Sequence, residues 1–126
     1  SQEAVDAEVK KAIEPIQTQL LELTKKIQAR SFFSFKETET LATAQTGLME
    51  LMSTYPAHPM LTKPAYEAAV ILAQREQYLD AYQCLQFVVT QFPQSPYGLK
   101  AKIQLRQLEK QLGADYFSAG LEPVQE

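Results

Sequence analysis

Apolar residues recur along this chain at the three- and four-residue spacing of helices rather than the alternation of strands. A helix with such a stripe buries one face and exposes the other. Pro15 lies inside the first stripe and removes a helical hydrogen bond, so we expect a kink or restart there and a main helix to about Arg30. The stripe consists of Val9, Ile13, Ile16, Leu20, Leu23 and Ile27.

Four further helices follow from apolar stripes and turn residues. Ser34 and Glu37 have the spacing of a capping box, which predicts a helix from near Phe35 until Tyr55-Pro56 stops it. After Tyr116 we expect a frayed end, with a disordered tail over residues 122–126. The fold class is therefore all-α, and the remaining helices are predicted over Thr62 to Glu76, Leu79 to Gln91 and Pro96 to Leu112.

The chain also repeats itself with a period of 37 residues. A weaker third copy pairs Tyr78 with Tyr116, one residue out of phase. A fixed period of helix pairs is typical of a solenoid, because each pair buries its apolar face against its neighbours. The matching positions are Ala44 with Ala81, Leu48 with Leu85, Tyr55-Pro56 with Phe92-Pro93, and Pro59 with Pro96.

On these residues the sequence resembles the tetratricopeptide repeat family. The best unit runs from Thr62 to about Pro96, with alanines where the usual tryptophan and glycine would stand and Glu76 in place of the turn glycine. The resemblance implies antiparallel helix pairs stacked as a short right-handed solenoid of about two and a half repeats. That domain would cover residues 15–121, after a helical extension over residues 1–14.

The resemblance further implies a concave groove, lined by the first helix of each pair, that binds a segment of a partner protein. Tyr66 and Val70 stand where the family's chaperone-tail binders hold a terminal carboxylate with Lys and Asn, so that use is not expected. The groove positions carried onto this chain are Lys63, Tyr66, Val70, Ala73 and Gln74 on the third helix, with Lys102 and Arg106 on the fifth.

Two proline-rich turns, residues 55–59 and 92–97, look like those of tetratricopeptide proteins in the bacterial cell envelope. These include outer-membrane assembly lipoproteins and periplasmic partners of the Tol-Pal system. The likeness implies a non-catalytic adaptor or scaffold of a periplasmic assembly complex, able to self-associate through its first helix. A cytoplasmic chaperone or regulator, and a docking domain of a larger enzyme, are the alternatives.

Composition excludes several other classes of function. Twelve Lys and Arg against fifteen Asp and Glu give a net charge of -3, which argues against nucleic acid as a partner. No apolar run reaches the roughly 18 residues that span a bilayer. No zinc-spaced His/Cys cluster or glycine-rich phosphate loop occurs, so neither a metal nor a cofactor is expected.

Single residues that could carry chemistry are few. His58 is the one histidine and lies in a proline-flanked loop, where a solvated or loop-packing role is favoured over general-base work. Cys84 lies in an apolar helical pattern and is expected to be a buried structural thiol. No catalytic site is therefore predicted.

Two surface features have competing interpretations. Lys102, Arg106 and Lys110 form a stripe beside Lys100, which is either a solvated helix face or a contact for an acidic partner. The second is the aromatic cluster of Phe32, Phe33 and Phe35. We expect it to pack inside a helix junction, whereas two exposed rings would instead mark an interface.

Overall fold

The computed structural model describes residues 1–121, and in this range the chain forms helices and no strand. The all-α prediction is confirmed, and the predicted bounds of the second and fifth helices agree with the structure. The tail predicted over residues 122–126 lies outside the described residues. The helices are α1 (Gln2–Gln28), α2 (Phe35–Thr54), a 3₁₀ turn (Pro59–Leu61), α3 (Thr62–Gln74), α4 (Tyr78–Gln91), α5 (Pro96–Leu112) and α6 (Ala114–Leu121).

The described helices pack around one hydrophobic core. Each helix contacts its neighbour in chain order, and contacts between α1 and α3, α3 and α5, and α4 and α6 join helices two apart. The predicted stripes supply most of the core side chains, because their spacing turns them to one side of each helix. Fully buried examples are Val9, Leu20, Leu48, Leu72, Leu85 and Val88.

The 37-residue period is visible in the backbone where α2 and α4 end. Tyr55 has φ -129° and ψ 58°, and Phe92 has φ -136° and ψ 56°. Each residue precedes a proline, which disfavours the helical region and so ends the helix. Three residues later, His58 and Ser95 cap the next helical segment with a side-chain acceptor. The two copies therefore share turn geometry as well as sequence.

A residue with positive φ follows each of the helices α1, α3 and α5 within two residues: Arg30 at 55°, Glu76 at 62° and Gly113 at 90°. After α1 and α3, the N–H groups of Ser31 and Gln77 donate to carbonyls five residues back, the main bond of a Schellman motif. This left-handed conformation costs a residue other than glycine roughly 1 kcal/mol. Glu76 therefore adopts a backbone conformation that glycine takes without steric cost.

The restart expected at Pro15 does not occur, because α1 runs through this residue as one helix. Pro15 and Lys11 both lie on the exposed face, where water can satisfy the carbonyl that the missing N–H leaves free. Val9 and Ile13 belong to the same core as the later helices. The boundary drawn between residues 14 and 15 thus falls inside one helix.

The frayed end expected after Tyr116 is not observed as far as Leu121. The chain continues as α6, and Phe117 is only 1% exposed. Its ring stacks on Tyr82 of α4, so the last helix covers part of the core. Leu105 and Leu112 on α5 are half-buried rather than buried as expected.

Candidate partner-binding cleft

A cleft of about 540 Å³ lies between α3 and α5. It lies on helices that open successive copies of the 37-residue repeat, since α3 and α5 both follow a proline-rich turn. Its lining residues are Tyr66, Val70, Ala73, Gln74, Glu76, Tyr78, Gln104, Gln107, Leu108 and Gln111.

The floor of the cleft is apolar and aromatic. Leu108 is buried, whereas Val70 remains 38% exposed. The ring of Tyr66 packs at a tilt against Tyr97 of α5, with centroids 5.7 Å apart. This contact links the two helices and restrains the Tyr66 ring beside the cleft.

The rim is rich in uncharged amides. Gln74 contributes one from α3, and Gln104, Gln107 and Gln111 contribute three from α5. Each amide carries two N–H donors and a carbonyl acceptor, so it can pair with either half of a peptide group. The cleft therefore offers hydrogen bonds around an apolar floor.

The structure brings together only part of the residue set expected in the groove. Tyr66, Val70, Ala73 and Gln74 line the cleft, whereas Lys63, Lys102 and Arg106 do not. A helix turns about 100° per residue, so Lys102 and Arg106, each two residues from Gln104, lie about 160° from it around α5.

The three glutamines of α5 were missed by the sequence interpretation. Their spacing with Leu108 places them on one helix face, and that pattern was available in the sequence. The basic stripe of Lys102, Arg106 and Lys110, from which groove residues were predicted, lies on a different side of the same helix.

The basic stripe itself is solvent-facing, since Lys102, Arg106 and Lys110 are exposed. Lys100 lies over the Tyr97 ring, with its amine 5.3 Å from the ring centroid. A contact with an acidic partner remains a prediction for this stripe.

A second cleft of about 450 Å³ lies between α1 and α2. Glu8 and Glu50 line it together with small residues such as Ala12 and Gly47. A hydrogen bond with Glu8 raises the pKa of Tyr55 at one end of this cleft. The α1/α2 cleft is therefore more acidic than the α3/α5 cleft.

His58 packs into its loop and is buried, so the loop-packing alternative is confirmed over the solvated one. Its Nε2 lies 2.7 Å from Oδ1 of Asp6, and its Nδ1 accepts from the N–H of Met60 at 3.2 Å. These contacts assign the ring proton to Nε2. Because both ring nitrogens are engaged, His58 fixes the start of α1 against the loop before α3.

Cys84 is a buried core residue, as predicted. Burial, with a smaller contribution from Asp80, raises the pKa of the thiol to about 12. The reactive thiolate form is therefore scarce at neutral pH.

The aromatic cluster divides in a way that contradicts the expected packing. Phe33 is buried beneath the guanidinium of Arg75, which lies 4.4 Å from the ring centroid. Phe32 is 87% exposed and Phe35 is 76% exposed. The alternative in which two of the three rings are exposed is the one observed.

Within residues 1–121, no helix is long and apolar enough to cross a membrane. In the same described part of the chain, no group of three or more acidic, His or Cys side chains is arranged to hold a metal ion. No family model matches the chain, and neither a curated protein nor a solved structure is significantly similar to it.

Proposed function

We propose that this chain is a non-catalytic protein-interaction module that holds a segment of a partner protein in the α3/α5 cleft. The observation that carries the proposal is the combination of an apolar floor with an amide rim on two adjacent helices. Binding sites for peptides and small molecules combine apolar lining with placed polar groups, and the polar part of this lining is the larger one.

A tetratricopeptide-like stack of helix pairs is part of the proposal. Its support is that helices contact partners one or two places away in the chain, and that the turn geometry at Tyr55 recurs 37 residues later at Phe92. In such a stack the first helices of successive pairs lie side by side and form the concave surface. On this chain those helices are α1, α3 and α5.

The lining chemistry indicates what kind of segment would bind. Four glutamines favour exposed peptide groups over a charged terminus, because amides both donate and accept. Leu99 and Ile103 are each more than half exposed, but neither lines the cleft, and Leu99 lies on the side of α5 that carries Arg106, seven residues later. A partner segment with an exposed backbone therefore fits this cleft.

The proposed cellular compartment of this module rests on the two proline-rich turns alone. Their likeness to those of bacterial envelope proteins favours an assembly complex in the periplasm. The cytoplasmic chaperone and the docking domain would use the same cleft, so the identity of the partner discriminates among the three.

A matched pair of double variants tests the cleft. Gln107→Glu with Gln111→Glu replaces two rim amides, and Gln83→Glu with Gln86→Glu makes the same charge change on exposed α4 positions. We expect the first to weaken a purified partner's binding at least tenfold, since a lost hydrogen bond costs about 1–3 kcal/mol when its partner stays buried. Equal affinities of the two variants, measured by calorimetry, would place the interface elsewhere.

A further inference from the structure

The connection between α1 and α2 presents two aromatic rings at the protein surface. Phe32 and Phe35 are 87% and 76% exposed, the highest values among the large apolar side chains exposed in the described residues. Exposed rings lose the stabilisation that burial provides, and a pair of them close together is typical of an interaction surface.

The connection is held in a defined conformation. Arg30 ends α1 in the left-handed region, and the buried Phe33 anchors the segment under Arg75. Glu37 accepts hydrogen bonds from the backbone N–H and the hydroxyl of Ser34, at 2.8 and 2.6 Å. The two exposed rings therefore lie on a segment whose conformation is fixed by these contacts.

Basic residues are concentrated in the segment of the sequence that contains these rings. Lys25, Lys26, Arg30 and Lys36 occur within residues 25–36, and this segment contains no acidic residue. The rest of the chain has eight basic residues against fifteen acidic ones, so positive charge is concentrated here on an acidic protein.

Acidic groups offset part of this charge. Glu37 is buried and bonded to Ser34, and it forms a salt bridge of 3.9 Å with the ammonium of Lys26. Glu39 lies four residues after Phe35, on the same side of α2. In the described residues Lys25, Arg30 and Lys36 form no salt bridge, so three cations remain in this segment.

We propose that the α1–α2 turn docks on an anionic phospholipid surface, with Phe32 and Phe35 inserted among the headgroups and Lys25, Arg30 and Lys36 on the lipid phosphates and carboxylates. Aromatic rings favour the membrane–water interface, and clustered Lys and Arg attract anionic lipid. A protein partner would more often cover such rings with a matching apolar pocket, whereas a basic segment that carries two exposed rings complements a lipid leaflet. The docking surface is separate from the α3/α5 cleft.

Vesicle flotation tests the proposal with the full chain. Vesicles of equal parts phosphatidylcholine and phosphatidylserine should bind the protein, and pure phosphatidylcholine vesicles should bind it far less. Removal of the rings by Phe32→Ser with Phe35→Ser should weaken partitioning at least tenfold. A matched control, Leu99→Ser with Ile103→Ser, removes two exposed apolar side chains from α5 and should bind like wild type.

The charge contribution is tested with two triple variants of equal net charge. Each basic residue near an anionic surface contributes about fivefold to binding, so Lys25→Gln, Arg30→Gln and Lys36→Gln should together weaken it about a hundredfold. The control Lys100→Gln, Lys102→Gln and Arg106→Gln should have little effect. Equal losses in the two triple variants would overturn the proposal in favour of a general response to net charge.

The absence of tryptophan from the chain allows a direct measurement of insertion. A tryptophan in Phe35→Trp should shift its emission to shorter wavelength on anionic vesicles, whereas one in Leu99→Trp should not. No shift at position 35, or wild-type partitioning by the Phe32→Ser and Phe35→Ser variant, would refute the docking. A wild-type dimer that this variant dissociates, without vesicle binding, would assign the rings to self-association instead.

Discussion

Phe117 stacks face to face on Tyr82, with ring centroids 4.3 Å apart and planes inclined by 11°. The hydroxyl of Tyr82 also donates to the carboxylate of Glu109 at 3.3 Å. Tyr82 on α4 thereby contacts both α5 and α6. The last helix is therefore part of the packed structure through the buried ring of Phe117.

Phe117→Ala should lower the free energy of unfolding by about 3 kcal/mol, because it removes a large ring from a closely packed site. Tyr116 is the matched control, since it is the neighbouring aromatic residue and 46% exposed. Tyr116→Ala should cost less than about 1 kcal/mol. Urea unfolding followed by circular dichroism measures both, and equal losses would mean that α6 does not cover the core.

Glu76→Gly should raise the free energy of unfolding by roughly 0.5–1 kcal/mol. Glu76 has φ 62°, which glycine adopts without steric cost. Gln74→Gly, two residues earlier in α3, should instead destabilise by about 1 kcal/mol because its backbone is helical. In thermal unfolding, the midpoint temperatures of the two variants should shift in opposite directions if Glu76 lies in a Schellman turn. Shifts in the same direction would contradict that turn.

Gly98→Ala should destabilise the chain by about 2–3 kcal/mol. A Cβ at this position would lie 1.9 Å from the carbonyl oxygen of Phe92, so the backbone of the Ser95-capped turn would have to move. At Gly47 the nearest atom to a new Cβ is the flexible Cδ1 of Ile16 at 3.2 Å, and alanine favours helix. Gly47→Ala should therefore be close to neutral in the same unfolding assay.

Acidification should weaken the fold through two carboxylates. Hydrogen bonds from Gln2 and His58 lower the pKa of Asp6, and those from the Ser34 hydroxyl and backbone N–H lower the pKa of Glu37. A lowered pKa in the folded state means that the stabilising carboxylate is fully present above its unfolded pKa, about 4. The contribution is lost as the pH falls below that value toward the folded pKa.

Urea midpoints measured from neutral pH down through about 4 would show this loss in the wild type. Glu37→Gln should show a shallower dependence, because one of the two titrating groups is gone. An unchanged pH profile in that variant would contradict the role given to the Ser34–Glu37 contact.

The bounds of α5 could be read from the sequence because local groups determine them. Ser95 caps the first turn, Pro96 fits the first helical position, and Gly113 ends the helix. The end of α2 at Tyr55-Pro56 follows in the same way. Where a cap residue or a proline determines the end of a helix, that end can be predicted from the sequence.

Burial of aromatic residues could not be read in this way, because it depends on which helix covers them. Phe33 and Phe117 are covered, whereas Phe32 and Phe35 are not, and nothing in the spacing of the rings distinguishes these outcomes. Part of the cleft was anticipated through the family resemblance. The glutamines of α5 were not predicted, because glutamine is common on exposed helix surfaces. Their place in a cleft depends on how α3 packs beside α5.

Site-specific photo-crosslinking in the source cell can show whether a partner segment lies in the α3/α5 cleft. A photoreactive residue at Gln107, on the rim, is compared with one at Gln86, exposed on α4. We expect a discrete crosslinked protein from position 107 that is absent from position 86. Crosslinks of equal yield to the same protein from both positions, or a discrete product from position 86 alone, would contradict it.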